Sequence, residues 1–181
     1  MNWVNNHVPN MIQHIGQTLD KFGKDRTGLV KYQFNQQGFR SPVDFNFVPE
    51  YVFFGNSLVF GIGVAYEYTF PGMFNFSHNY GLAGNYNNDD IFKIIENYLN
   101  SDVYSSKTKK AVVWTNRNEE NVNSYSKQLS EQGFVQLFCG DLMPYKNCFR
   151  AVANIDFDVS STHMGIKTHL ATCRLLSESF K

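Results

Sequence analysis

The chain has no excess of charge of either sign. Its 181 residues include 16 lysines and arginines and 16 aspartates and glutamates, so the formal net charge at pH 7 is zero. A protein that attracts nucleic acid or an anionic membrane through its overall field needs a basic excess. We therefore expect no nucleic acid and no membrane among its partners.

Long apolar runs, a leader pattern and paired cysteines are also missing. No stretch approaches the roughly 20 apolar residues that span a bilayer, and no basic segment followed by an apolar one suggests a signal peptide. Cys139, Cys148 and Cys173 form no C-x-x-C pair and no zinc-ligand spacing. This odd, scattered set favours reduced thiols over a disulfide framework, and the sequence predicts a cytoplasmic protein.

What the chain does have is enough length and aromatic content for one core. With 16% aromatic residues and no repeat, low-complexity tract or linker, it predicts a single domain over residues 1–181. Near the N-terminus, six apolar residues are spaced as one face of a helix. They predict an N-terminal amphipathic helix and connector over residues 1–30, with the apolar face formed by Val8, Met11, Ile12, Ile15, Leu19 and Phe22.

Short apolar runs then alternate with amphipathic stretches along the chain. The predicted strands cover residues 51–54, 75–79, 111–114, 134–138 and 151–157. The predicted helices are one capped by Asn87 or Asn88, one over 119–132, and a closing one whose apolar face carries Ile166, Leu170, Cys173 and Leu176. This alternation predicts an α/β fold with a parallel sheet covered on both sides.

Polar residues and glycines follow several of these strands. In parallel sheets the functional crevice lies beyond the carboxyl ends of the strands, so these residues are expected to converge. Ser57 follows the first strand, a glycine-rich stretch over 79–84 follows the second, Asn116 follows the third, and His163 comes after the last. A hydroxyl, an imidazole that removes its proton, and N–H groups that stabilise an oxyanion are the parts that acyl transfer requires.

Several segments together resemble the SGNH (GDSL-type) hydrolase superfamily. Residues 54–64, FGNSLVFGIGV, are similar to its first block, and NYGLAGN over 79–85 is similar to its second, N-x-G-x-x-G. Upstream, residues 35–40 resemble an N-x-x-G-F-R lead-in, and downstream residues 69–71 resemble a threonine-aromatic-proline sequence. His163 and His169 resemble the terminal block, so the resemblance extends over roughly residues 32–176.

The resemblance implies a three-layer αβα sandwich of the flavodoxin-like SGNH hydrolase type. It implies Ser57 as nucleophile, His163 as general base, and an oxyanion hole made by the Ser57 N–H, the Gly81 N–H and the Asn116 side chain. It implies no metal and no cofactor, and hydrolysis of an ester or O-acetyl group on a small molecule or carbohydrate. Only 47 residues separate Asn116 from His163, which predicts a trimmed version of the fold.

The sequence departs from the family pattern in three places. Asn56 stands where an aspartate usually precedes the serine, and the third block, normally G-x-N-D, reads W-T-N-R over 114–117. Ser160 replaces the aspartate three residues before His163. Either Asp158 completes the triad through a longer loop, or the enzyme works with a Ser–His dyad, since activity without the aspartate falls by roughly 10⁴-fold but persists.

Two other functions remain open at this stage. The departures are also expected of a catalytically degenerate SGNH-like domain that binds a carbohydrate or a protein partner. The second alternative is an unrelated flavodoxin-like module whose residues 55–63 bind a phosphate at a strand-to-helix loop. That alternative has no GK[ST] lysine and does not account for the spacing of His163 and His169.

Overall fold

The protein contains a five-stranded parallel sheet with helices on both faces. The computed structural model describes residues 12–19, 25–83, 86–115, 122–139, 149–150 and 165–181. The sheet strands are β3 (Tyr51–Gly55), β4 (Ser77–Gly81), β5 (Lys109–Thr115), β6 (Phe134–Cys139) and β7 (Phe149–Arg150). Their spatial order is β4-β3-β5-β6-β7, and every neighbouring pair is parallel. The predicted α/β fold class is therefore confirmed.

Each face of the sheet has its own hydrophobic core, because successive strand residues point to opposite sides. On one face, α2 (Asn88–Leu99) and α3 (Val122–Glu131) pack on Phe54, Val112 and Trp114. On the other face, α1 (Ser57–Phe60) and α4 (Ile166–Ser179) contribute Val59 and Leu176, which pack with Phe53 and Val113. Because both faces are covered, β3 and the centre of β5 are continuous apolar runs.

The predicted elements lie close to the observed ones where the structure describes them. Asn87 caps α2, and a reciprocal pair of hydrogen bonds with Asp90 forms a capping box. The predicted strand over 151–157 lies outside the described residues, as do residues 119–121 of the predicted third helix. Among the described helices, none has the length and apolar character required to cross a bilayer.

The predicted N-terminal helix is wrong over residues 12–19. This segment is strand β1 (Ile12–Leu19), which pairs antiparallel with β2 (Asp25–Gln33). The predicted connector also becomes strand from Asp25 onward. Gly16 and Thr18 are poor helix formers, and the pairing of β1 with a second strand supplies backbone hydrogen bonds that a local apolar spacing cannot reveal.

The closing helix was predicted correctly, but two of the four residues of its predicted apolar face are exposed. Ile166 and Leu170 are 47% and 41% exposed, whereas Thr168, His169 and Thr172 are buried beside Leu176. Two hydrogen bonds offset part of the cost of burying this polar face: His169 Nδ1 accepts from the Phe70 N–H at 3.2 Å, and Thr172 Oγ1 donates to the Thr168 carbonyl at 2.9 Å. Polar side chains thus share the buried face of α4 with Leu176.

The burial of His78, in β4, predicts that the folded protein loses stability in acid. Its ring stacks on Phe45 at 4.1 Å between centroids, and burial lowers the pKa of His78 from 6.5 to about 3. The unfolded chain takes up this proton below pH 6.5 and the folded chain does not, so stability is complete above that pH. It falls toward pH 3 by up to about 1.4 kcal/mol per pH unit.

We expect His78→Phe to remove this contribution while keeping an aromatic ring against Phe45. Urea unfolding of both proteins between about pH 4.5 and 7 gives the free energy of unfolding at each pH. The slope of this free energy against pH should be smaller in the variant than in the wild type. Equal slopes in the two proteins would contradict the buried neutral state of His78.

Candidate active site

The strand order puts Ser57 where parallel sheets usually form a ligand crevice. Numbered along the chain, the parallel strands have the order 2-1-3-4-5, the flavodoxin-like arrangement, whose switch point lies between the first and third strands. Here those strands are β3 and β5. Gly55 at the end of β3 pairs with Val113 of β5 on one side and Gly81 of β4 on the other. Ser57 therefore follows the strand at which ligand crevices form in such sheets.

The turn after β3 depends on Gly55 and Asn56. Gly55 has a φ of 156°, and a side chain there would meet the Val113 carbonyl oxygen at 2.8 Å and Val59 at 2.4 Å. Asn56 then caps α1, since its Oδ1 accepts from the Leu58 N–H at 3.1 Å. The asparagine thus retains the polar acceptor that begins the helix, without a carboxylate charge.

Ser57 is the first residue of α1 and is only partly buried. Its carbonyl accepts hydrogen bonds from the Gly61 and Ile62 N–H groups at 3.0 and 3.3 Å. By contrast, neither its hydroxyl nor its N–H has a hydrogen-bond partner among the described residues. The hydroxyl is thus accessible and unengaged at the switch point, and the adjacent N–H remains available to an oxyanion.

Gly81 does not have the geometry of the predicted oxyanion donor. Its N–H donates to Asn79 Oδ1 at 2.9 Å, so this hydrogen is already used. A Cβ at Gly81 would lie 2.2 Å from the Phe60 nitrogen and 2.7 Å from the Val59 carbonyl carbon. Gly81 is needed because the backbones of β4 and α1 touch here, so the position has a packing role.

Asn79, which engages Gly81, is completely buried in β4. Its Nδ2 group has no hydrogen-bond partner among the described residues. A buried donor left unpaired typically lowers stability by about 1–3 kcal/mol. Such groups call for an explanation beyond folding, and this one lies beside the backbone that positions α1.

The remaining predicted residues lie outside the described part of the chain. These are Asn116, Asp158 and His163, together with Gly84 of the second block. Thr115, which precedes Asn116, is the last residue of β5, the neighbour of β3. The strand that leads to Asn116 thus ends on the same edge of the sheet as the strand that leads to Ser57.

His169, the second histidine of the terminal block, lies within the described residues and contacts Phe70. Its Nδ1 atom accepts from the Phe70 N–H, and the ring lies 5.5 Å from the Phe70 ring. Because Nδ1 is the acceptor, the neutral tautomer carries its proton on Nε2. Through this contact α4 is tied to the segment that follows the 3₁₀ helix Tyr66–Tyr68.

Arg40 is a site residue that sequence reasoning did not single out. Its guanidinium is buried and donates to the carbonyls of Phe60, Gly61 and Val64, all in the segment that follows Ser57. The N-x-x-G-F-R lead-in contained the signal, because this arginine is its last residue. A motif shows the residue type, however, and only the fold shows which backbone it contacts.

The described residues contain no cluster of three or more histidine, cysteine, aspartate or glutamate side chains that would hold a metal ion. The chain matches no protein-family model, no curated protein and no solved structure. An inference about its function therefore rests on the residues of the site.

Proposed function

We propose that the protein is a serine hydrolase of the SGNH type, an esterase or carbohydrate deacetylase that cleaves an ester or O-acetyl group. The observation that carries this proposal is Ser57 at the switch point of a parallel sheet. Its hydroxyl is partly exposed and has no hydrogen-bond partner among the described residues. The strand order and helices on both faces also suit a trimmed three-layer αβα sandwich.

In this mechanism Ser57 attacks the acyl carbon and His163 removes the proton from its hydroxyl. The Ser57 N–H and the Asn116 amide stabilise the oxyanion, and His163 then protonates the leaving alcohol. Water deprotonated by His163 next attacks the acyl-enzyme, which releases the carboxylic acid and restores the Ser57 hydroxyl. Asp158 orients the imidazole, or the reaction proceeds with the Ser–His dyad. A second backbone donor, if the hole has one, must be an N–H other than that of Gly81, since Asn79 engages that one.

A catalytically degenerate domain that binds a carbohydrate or protein partner is the second candidate function. The hydrogen bond from the Gly81 N–H to Asn79 favours it, because one predicted oxyanion donor is absent. The replacement of the DxxH aspartate by Ser160 favours it as well. This alternative predicts a stable fold in which Ser57 has the low reactivity of an ordinary serine.

Labelling with a fluorophosphonate probe distinguishes the two functions. We expect the wild-type protein to react, and mass spectrometry of the digested adduct to locate the phosphonate on Ser57. His163→Ala is expected to abolish labelling, because the serine is then no longer deprotonated.

The control is Ser177→Ala, which removes an exposed hydroxyl on α4 that donates to the Cys173 carbonyl. Its labelling should equal that of the wild type. A folded wild-type protein that is not labelled would reject the hydrolase and leave the binding domain as the better function.

A further inference from the structure

Helix α1 cannot hold Ser57 in place by its own hydrogen bonds. It has four residues, and its turn is closed by hydrogen bonds from Phe60 N–H to Asn56 O and from Gly61 N–H to Ser57 O. Isolated helices of fewer than about 12 residues are marginal in water, because nucleation is unfavourable. The position of Ser57 must therefore be set by groups outside the helix.

Arg40 supplies such a group at the C-terminal end of α1. Its Nη1 atom donates to the Phe60 carbonyl at 2.9 Å and also to the Gly61 carbonyl, while Nη2 donates to the Val64 carbonyl. The last carbonyls of a helix lack partners within the helix. A cation is also favourable there, because it opposes the negative end of the helix dipole.

The surroundings of Arg40 are built to keep this cation buried. The side chain is 1% exposed, and its guanidinium carbon lies 4.4 Å from the Tyr32 ring centroid and 5.4 Å from that of Phe60. Burial lowers the pKa of Arg40 to about 10, so it remains charged at neutral pH. No carboxylate forms a salt bridge with it within the described residues. Backbone carbonyls and aromatic faces are therefore its main partners.

The turn before Arg40 explains how the side chain is delivered to α1. Asn35 Oδ1 accepts from the N–H groups of Gln37 and Phe39 at 3.1 and 2.9 Å, and Gly38 has a φ of 78°. The Phe39 ring then packs against Tyr80 in the core, 4.9 Å between centroids. Arg40 follows on this fixed backbone, whose bridge to Phe34 completes the turn.

We propose that Arg40 is a positioning residue for the Ser57 nucleophile. The path is short: Arg40 fixes the carbonyls of Phe60 and Gly61, and the Gly61 N–H in turn donates to the Ser57 carbonyl. The arginine holds one end of α1 while Asn56 caps the other. This inference rests on the proposed hydrolase function, because it assigns Arg40 a role in the geometry of that reaction.

Two substitutions test the proposal in the full chain. Arg40→Met keeps length and apolar bulk but removes all donors, and Arg40→Lys keeps the charge but loses the planar arrangement of donors. We expect kcat for p-nitrophenyl acetate to fall about 100-fold in Arg40→Met and about tenfold in Arg40→Lys. KM should change by less than about twofold, since an acetyl ester makes few binding contacts.

The matched control is Leu129→Ala, which opens a cavity in the core under α3 on the opposite face of the sheet. It is expected to lower Tm at least as much as Arg40→Met while leaving kcat unchanged at temperatures well below unfolding. Titration of active sites with the fluorophosphonate shows whether all molecules of each variant are folded and reactive.

Each outcome of these measurements either supports or overturns the role of Arg40. A kcat for Arg40→Met within about twofold of wild type overturns the role of Arg40 and leaves the hydrolase intact, since the 100-fold loss expected of a misplaced nucleophile is missing. The same kcat loss in Leu129→Ala also overturns it, because the loss then follows stability. If Arg40→Met does not fold, an unchanged kcat in Arg40→Lys overturns it. An unlabelled wild-type protein overturns both the hydrolase and the role of Arg40.

Discussion

Ser57→Ala is expected to lower kcat for p-nitrophenyl acetate by about 10⁴-fold or more while leaving the protein as stable as the wild type. The activity is lost because the alanine has no atom that can attack the acyl carbon. Stability is kept because the Ser57 hydroxyl makes no hydrogen bond to another described residue and is only partly buried. Steady-state kinetics and a urea unfolding curve on the same preparation provide both measurements.

This separation of activity from stability is the specific result to look for. A surface substitution without partners changes stability by no more than about 0.5 kcal/mol. Ser177→Ala, on α4, serves as the control. It should leave kcat unchanged and alter stability by no more than about 0.5 kcal/mol, since its exposed hydroxyl bonds only within its own helix. If Ser57→Ala retained wild-type kcat, another residue would be the nucleophile. If it were destabilised by several kcal/mol, the hydroxyl would have a structural partner.

Gly81→Ala is expected to destabilise the fold by about 3 kcal/mol or more, which is at the upper end for overpacking. The added methyl group would lie 2.2 Å from the Phe60 nitrogen and 2.7 Å from the Phe60 Cα atom. These are backbone atoms, so no side-chain rotation relieves the contact. Either α1 moves away from β4, carrying Ser57 with it, or the end of β4 separates from β3.

Gly133→Ala is the matched control for this prediction. Gly133 has a φ of 75°, and a Cβ there would have no heavy atom within 4 Å. It tests backbone strain alone, which costs roughly 1–2 kcal/mol for a left-handed residue. Thermal unfolding of the two variants compares a steric contact with a strained backbone. Equal losses in both would show that α1 adapts readily to a bulkier residue at Gly81.

The central elements could be predicted because their signals are local. Buried strands such as β3 and β5 are continuous apolar runs, and α2 begins with the Asn87 cap and carries an apolar stripe. The alternation of strands and helices then implies a parallel sheet, and the crevice rule places Ser57 at its edge.

The pairing of β1 with β2 could not be predicted from local signals. Ile12, Ile15 and Leu19 suit one face of a helix, yet β1 pairs with β2 through partners such as Ile15 and Val30. A window of one segment does not contain its partner strand, so the periodicity favoured the wrong element. The burial of His169 on α4 could not be predicted for a related reason. Its hydrogen-bond donor is the Phe70 N–H, which lies 99 residues earlier in the chain.

By itself, the sequence determined the alternation of strands and helices, the strand after which Ser57 appears, and the motif that ends in Arg40. Only the tertiary structure decided what these residues touch. In the folded chain the Gly81 N–H donates to Asn79, and Gly81 packs against α1. Arg40 donates there to the Phe60 carbonyl, in the segment that follows Ser57. The physical reason is that apolar periodicity is a property of one segment, whereas hydrogen bonds and close backbone contacts join segments that only the folded chain brings together.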